Sequence, residues 1–226
     1  MSDEFPLNRM PGVILAIAGA MLLAEAVFSL ASAGILGGRT GIGWRSWAVQ
    51  DYAFAPRVLE LLGAPGGAWS PDLLKRFVTY AFVHGSVTNT AFAVVITLAL
   101  GKFCGEVLGE VQLAALWLAC TVGGALVFGL AVQENAALIG GFPGAYGLIG
   151  AYTYLLWVHL GRQGARQLAA FRLIGVLVAL QLIFSVFFGP SPIWVAEIAG
   201  FVLGFAITPV LVPGGWTALL AKLRER

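Results

Sequence analysis

Charge is what this sequence has least of. Asp, Glu, Lys and Arg make up 11% of its 226 residues, where a soluble globular domain carries about a quarter. The 13 basic and 11 acidic residues nearly cancel, to a formal +2. That excludes the strongly basic footprint of a nucleic-acid binder. Cysteine is down to two, Cys104 and Cys120, each inside an apolar stretch and without metal or redox spacing. Both read as small buried hydrophobes. His84 has no second ligand beside it, so no metal is expected, and no cofactor either. Internal repeats and low-complexity segments are missing. A signal peptide is not expected, because the acidic start "MSDEFPLNRM" leads into an apolar run too long for an h-region. A single membrane domain over residues 1–226, with no soluble domain attached, is the expectation.

What fills the chain instead is apolar, 59% of it hydrophobic. A membrane-spanning helix needs about 20 such residues. Six stretches qualify, at 12–36, 79–101, 111–133, 140–160, 169–188 and 193–213. The expected fold is therefore all-α, a polytopic bundle of six transmembrane helices. The long connection at 37–78 places Trp44, Trp47, Tyr52, Phe54 and Trp69 among Arg39, Arg45, Asp51, Arg57 and Glu60. Such a mixture suits an element lying in the headgroup region, with a plain solvated loop as the alternative.

The positive charges orient the chain. With the N-terminus in the cytoplasm, eight basic residues fall inside (Arg9, Lys102, Arg162, Arg166, Arg172, Lys222, Arg224 and Arg226). Five fall outside, all in the first loop, and the outer connections near Glu134 and "GPSP" have none. Both termini are expected in the cytoplasm. The tail at 214–226 reads as a short amphipathic helix on the inner surface or as a solvated end.

Ionisable groups inside a span are costly and are functional candidates by default. Glu25 lies near the middle of the first stretch and Glu197 near the outer end of the sixth. His84, Thr88, Asn89 and Thr90 gather in the outer half of the second, at a depth comparable to Pro143. Gly200 and Gly204 follow Glu197 at i+3 and i+7, giving its face a smooth surface. Gly140, Gly144, Gly147 and Ala151 make a matching stripe on the fourth stretch, and two such faces let backbones approach closely. Their meeting aims Glu197 inward, with Asn89, Tyr146 or a carbonyl near Pro143 as its expected partner. A hydrogen bond that holds helices together is the first reading of Glu197, since no nucleophile lies in evident reach. For Glu25 the first reading is likewise an interhelical hydrogen bond, and a lipid- or partner-facing role the second. His84 is expected to be satisfied by backbone or water. Lys102, Glu106 and Glu110 close the second stretch at the inner surface.

The segment "KRFVTYAFVHGS…GKFCGEVLG", Lys75 to Gly109, resembles the second-span signature of the rhomboid intramembrane serine proteases, through Arg76, Thr79, Phe82, His84, Ser86, Gly101, Glu106 and Gly109. "IGGFPGAYGLIGAY" is similar to the family's Gly-x-Ser-Gly segment, and "AEIAGFVLGF" to its Ala-His-x-x-Gly-x-x-x-Gly. The aromatic first loop with Trp44-Arg45 also suits the family. The resemblance covers about residues 12–213, in order and at matching spacing. It implies a rhomboid-like six-helix bundle whose first loop is partly sunk in the outer leaflet.

The departures carry the functional expectation. Where the family has its nucleophilic Ser, this chain has Pro143, and where it has its general-base His, Glu197. The oxyanion pair falls on Asn89 and Ala93, and His84 matches a family His outside the dyad. Proline offers neither a hydroxyl to attack a carbonyl nor an N–H to donate. Glu197 could accept a proton, but nothing beside it needs activating. The resemblance thus implies a pseudoprotease that binds transmembrane segments of other membrane proteins. The residues expected to line the partner-binding cavity are His84, Asn89, Gly141, Pro143, Tyr146 and Glu197, with Gly144, Gly147, Gly200 and Gly204 packing helices. The alternatives are a fixed structural subunit of a membrane complex and an intramembrane endopeptidase with a displaced site. A transporter fits less well, without an inverted repeat or paired broken helices. The compact six-span form suits a bacterial cytoplasmic membrane.

Overall fold

The computed structural model describes residues 10–64, 69–133, 136–188 and 191–215. The N-terminal 1–9 with Arg9, Glu134, part of "GPSP" and the basic tail from 216 onward lie outside the described residues. Ten α-helices follow in order: α1 (Gly12–Ser32), α2 (Gly38–Gly41), α3 (Trp44–Tyr52), α4 (Pro56–Gly63), α5 (Pro71–Thr79), α6 (Val87–Gly105), α7 (Glu110–Ala131), α8 (Phe142–Arg162), α9 (Arg172–Phe188) and α10 (Trp194–Leu211). No strand forms among the described residues, apart from an isolated antiparallel bridge between Phe54 and Leu138.

Among the described residues, four helices, α1, α6, α7 and α10, are long and apolar enough to cross a membrane. The other two expected stretches form α8 and α9. At 17 residues α9 is short. α8 has the length, 21 residues, but is less apolar for a physical reason. Every residue from Pro143 to Ala151 is buried, so this half of α8 meets protein rather than lipid and can carry Gly, Pro and Tyr. The second helix also starts later than the 79–101 stretch suggests. Residues Tyr80–Phe82 form a 3-10 turn, and α6 begins at Val87, where the Ser86 hydroxyl accepts the Asn89 N–H as an N-cap.

α8 is the hub. It packs most extensively on α10, then on α7 and α6. The α8–α10 contact is backbone on backbone. A Cβ at Gly200 would collide with the carbonyl of Pro143, one at Gly204 with that of Gly147, and one at Gly150 with that of Phe201. The two glycine faces therefore meet at Gly147, Gly200 and Gly204, with Gly150 as an added member. Towards α7 the missing side chains are those of Gly144, where a Cβ would press on Trp117 and Thr121, and of Gly147, where one would strike Cys120. Gly144 and Gly147 thus let α7 approach, while the backbones of Pro143 and Gly147 and the bare face of Gly150 let α10 approach.

The first loop is folded, not extended. Helices α2 to α5 occupy it, Trp47 and Trp69 being 56% and 73% exposed as headgroup aromatics would be. Phe54 departs from that group. Its backbone pairs with Leu138, so its ring is fully buried against Phe77 and Tyr80. The loop is fastened by Arg76 donating to the Ala53 carbonyl (3.0 Å) and Thr79 to the Tyr52 carbonyl (3.1 Å). A Gly204→Val substitution is expected to separate α8 from α10 and lower stability by about 1–3 kcal/mol. Thermal unfolding in detergent should show the loss, and Gly19→Ala, where a Cβ meets nothing within 4 Å, should not.

Candidate functional site

Pro143 is the second residue of α8, after the N-cap Gly141. Its missing N–H costs nothing there, because the first N–H groups of a helix have no intrahelical acceptor. A Ser-to-Pro replacement at this position thus removes a hydroxyl without breaking the helix. The ring is wedged between α7 and α10: a Cβ on Gly124 would lie 2.7 Å from Pro143 Cβ and 3.0 Å from the Ala196 carbonyl. Glu197 is next to Ala196, in the first turn of α10, and is 7% exposed.

Glu197 is brought beside Pro143, but not with the partner its sequence context implies. Its Oε2 accepts from the Gln181 amide of α9. Asn89 is exposed on α6, where its N–H bonds to the Ser86 hydroxyl, and Glu197 bonds to Gln181 instead. Tyr146 is buried one turn beyond Pro143, and Ala93 is fully buried. No signal on α9 marked Gln181 except polarity itself, an amide in an otherwise apolar stretch.

His84 is 1% exposed and does structural work. Its Nε2 accepts the Gly141 N–H at 3.2 Å, which leaves the proton on Nδ1. Gly141 is close-packed, since a Cβ there would strike Met21. The strand-like approach to α8 is also held by Gly140 donating to the Tyr80 carbonyl (2.9 Å).

The second polar centre joins α1, α3 and α6. Arg45 Nη1 and Nη2 donate to the two carboxylate oxygens of Glu25, at 2.9 and 2.6 Å. Ser29 and Thr90 donate to the same carboxylate at 2.7 and 2.9 Å. Glu25 thus makes the interhelical hydrogen bond expected of it, through Thr90, and an ion pair that was not expected. Arg45 Nη1 also donates to the His84 carbonyl at 2.7 Å, and the Glu25 carboxylate holds the guanidinium pKa above its ordinary value. Arg45 is therefore not a headgroup charge. Its reach to a residue 20 positions back could not be read from spacing.

Three hydroxyls near the site are already engaged. Ser86 caps α6, Thr90 holds Glu25, and Thr121 Oγ1 donates to the Trp117 carbonyl at 2.8 Å. Among the described residues, no cluster of His, Cys, Asp and Glu could hold a metal ion.

Apolar helices round a buried α8 whose first turn meets an acid-bearing helix define an integral membrane protein of a known helical class. The rhomboid domain family model matches residues 71–214, from α5 to just past α10. The chain belongs to the rhomboid family.

Removing one member of a partly buried, hydrogen-bonded ion pair leaves the other charge under-compensated, at a cost of about 1–3 kcal/mol. Arg45→Met and Glu25→Leu are each expected to destabilise by that order, and the double substitution by less than the sum. A double-mutant cycle on detergent unfolding measures the difference, and additive effects would show the pair to be uncoupled.

Proposed function

We propose that this rhomboid-family protein is a non-catalytic membrane protein that binds transmembrane segments of other membrane proteins, in quality control, stabilisation or assembly. The observation that carries the reading is Pro143. At the position where the family resemblance places the nucleophile, the chain has a residue with neither hydroxyl nor N–H, packed against Gly124 and Gly200. The committed hydroxyls of Ser86 and Thr90 support it further, since a displaced nucleophile would have to give up a structural bond. Glu197 at the base position accepts from Gln181, which ties α9 to α10.

Client binding draws on α9. It packs on α8 and on the turn Gln167–Phe171, and its Val176, Leu180, Leu182 and Ile183 are 65%, 45%, 65% and 53% exposed. A partner helix laid beside it would meet an apolar face, and the exposed Thr88 and Asn89 in the first turn of α6 offer polar contacts. Polar residues on a client gain hydrogen bonds there that lipid cannot supply. In this reading α8 and α9 span the bilayer with the four apolar helices, giving six spans, and both termini face the cytoplasm of a bacterial cell.

Purification of the tagged protein in mild detergent at native abundance, with mass spectrometry of what accompanies it, tests the proposal. Many single-span proteins in small amounts, lost from Asn89→Leu and Glu197→Leu, are the expected result. One partner in near-equal amount would identify a fixed structural subunit instead. Pro143→Ser combined with Glu197→His is expected to cleave a generic transmembrane substrate little or not at all, because Asn89 and Ala93 remain at the oxyanion positions. Robust turnover by the unaltered chain would overturn the non-catalytic reading.

A further inference from the structure

The connection between α8 and α9 holds a feature that the site near Pro143 does not use. From Gly161 to Phe188 the chain has three arginines, Arg162, Arg166 and Arg172, and no acidic residue. Arg166 and Arg172 line one cavity of about 680 Å³, with Gln167, Leu168 and Ala169 between them. Neither arginine makes an ion pair among the described residues.

The cavity floor is built rather than a slack loop. Residues Gln167–Phe171 form a 3-10 turn. Gln167 Nε2 donates to the Trp157 carbonyl of α8 at 3.1 Å, Ala170 is 1% exposed, and the Phe171 ring packs, tilted, with its centre 5.6 Å from that of Phe205 on α10. The turn therefore presents its two guanidinium groups from a fixed base at the ends of α8 and α9. Leu168, between them in sequence, is 82% exposed, and Val176, one turn into α9 beyond Arg172, is 65% exposed.

We infer that this arginine-lined cavity binds the head group of an anionic phospholipid in the leaflet on that side of the bundle. Guanidinium groups match phosphate oxygens in a two-pronged geometry, and two of them without an acidic neighbour favour a head group of net negative charge. The exposed Leu168 and Val176 supply an apolar continuation that acyl chains cover and a free anion cannot. A zwitterionic head group brings its own cation to the arginines and binds more weakly.

The test uses the full-length protein in neutral maltoside detergent, titrated in parallel with dioctanoyl phosphatidylglycerol, dioctanoyl phosphatidylcholine and inorganic phosphate. The unfolding midpoint is followed by tryptophan fluorescence. Phosphatidylglycerol is expected to raise the midpoint saturably, phosphatidylcholine only at much higher concentration, and phosphate not at all. Arg166→Gln with Arg172→Gln should weaken the phosphatidylglycerol effect by about fivefold per arginine removed. Arg166→Lys with Arg172→Lys keeps the charge and should keep the lipid preference. Equal effects of the two lipids, an equal effect of phosphate alone, or a Gln variant that responds like the unaltered protein would each overturn the assignment.

Discussion

Backbone contact between α8 and α10 is the constraint from which the rest follows. Inside a bilayer, burying apolar surface between helices gains little, because lipid is as apolar as leucine, so close packing has to hold the bundle. Gly200 over Pro143, Gly204 over Gly147 and Gly150 under Phe201 bring two backbones together where any Cβ would intrude. That fit sets the height of the α8 first turn against α10 and so places Pro143 beside the Glu197 turn. It also makes α8 an interior helix, which is why it can afford glycines and a proline that a lipid-facing span would not favour.

Much of this was legible in the sequence. The glycine faces are periodic, and periodicity names a face; it does not name the neighbour. Hence Gly200 and Gly204 lie on the α8 backbone at Pro143 and Gly147, while Gly144 and Gly147 themselves open towards Trp117 and Cys120 of α7. The late start of α6 was also signalled, by Gly85 and the capping Ser86, but the apolar run Tyr80–Val83 outweighed those two residues when judged by hydropathy alone. Gln181 and Arg45 were harder. Both act across a loop or between helices, and neither the path of the first loop nor the pairing of α9 with α10 is encoded in local spacing.

The two polar centres differ in kind. At Glu25 a carboxylate has four donors, from Arg45 twice and from Ser29 and Thr90. Such complete satisfaction is what allows a charge to persist within a helix bundle. At Glu197 one neutral amide is the partner. The first centre fastens three elements firmly; the second fastens one lightly packed helix through a single side chain.

His84 joins these regions. Its carbonyl receives Arg45 from the surface loop, and its ring receives the N–H of Gly141, two residues before Pro143. A loop at the water interface and the first turn of the most buried helix are thus gripped by opposite ends of one residue. One side chain and its own carbonyl thus tie the position of the first loop, through α3, to the threshold of α8.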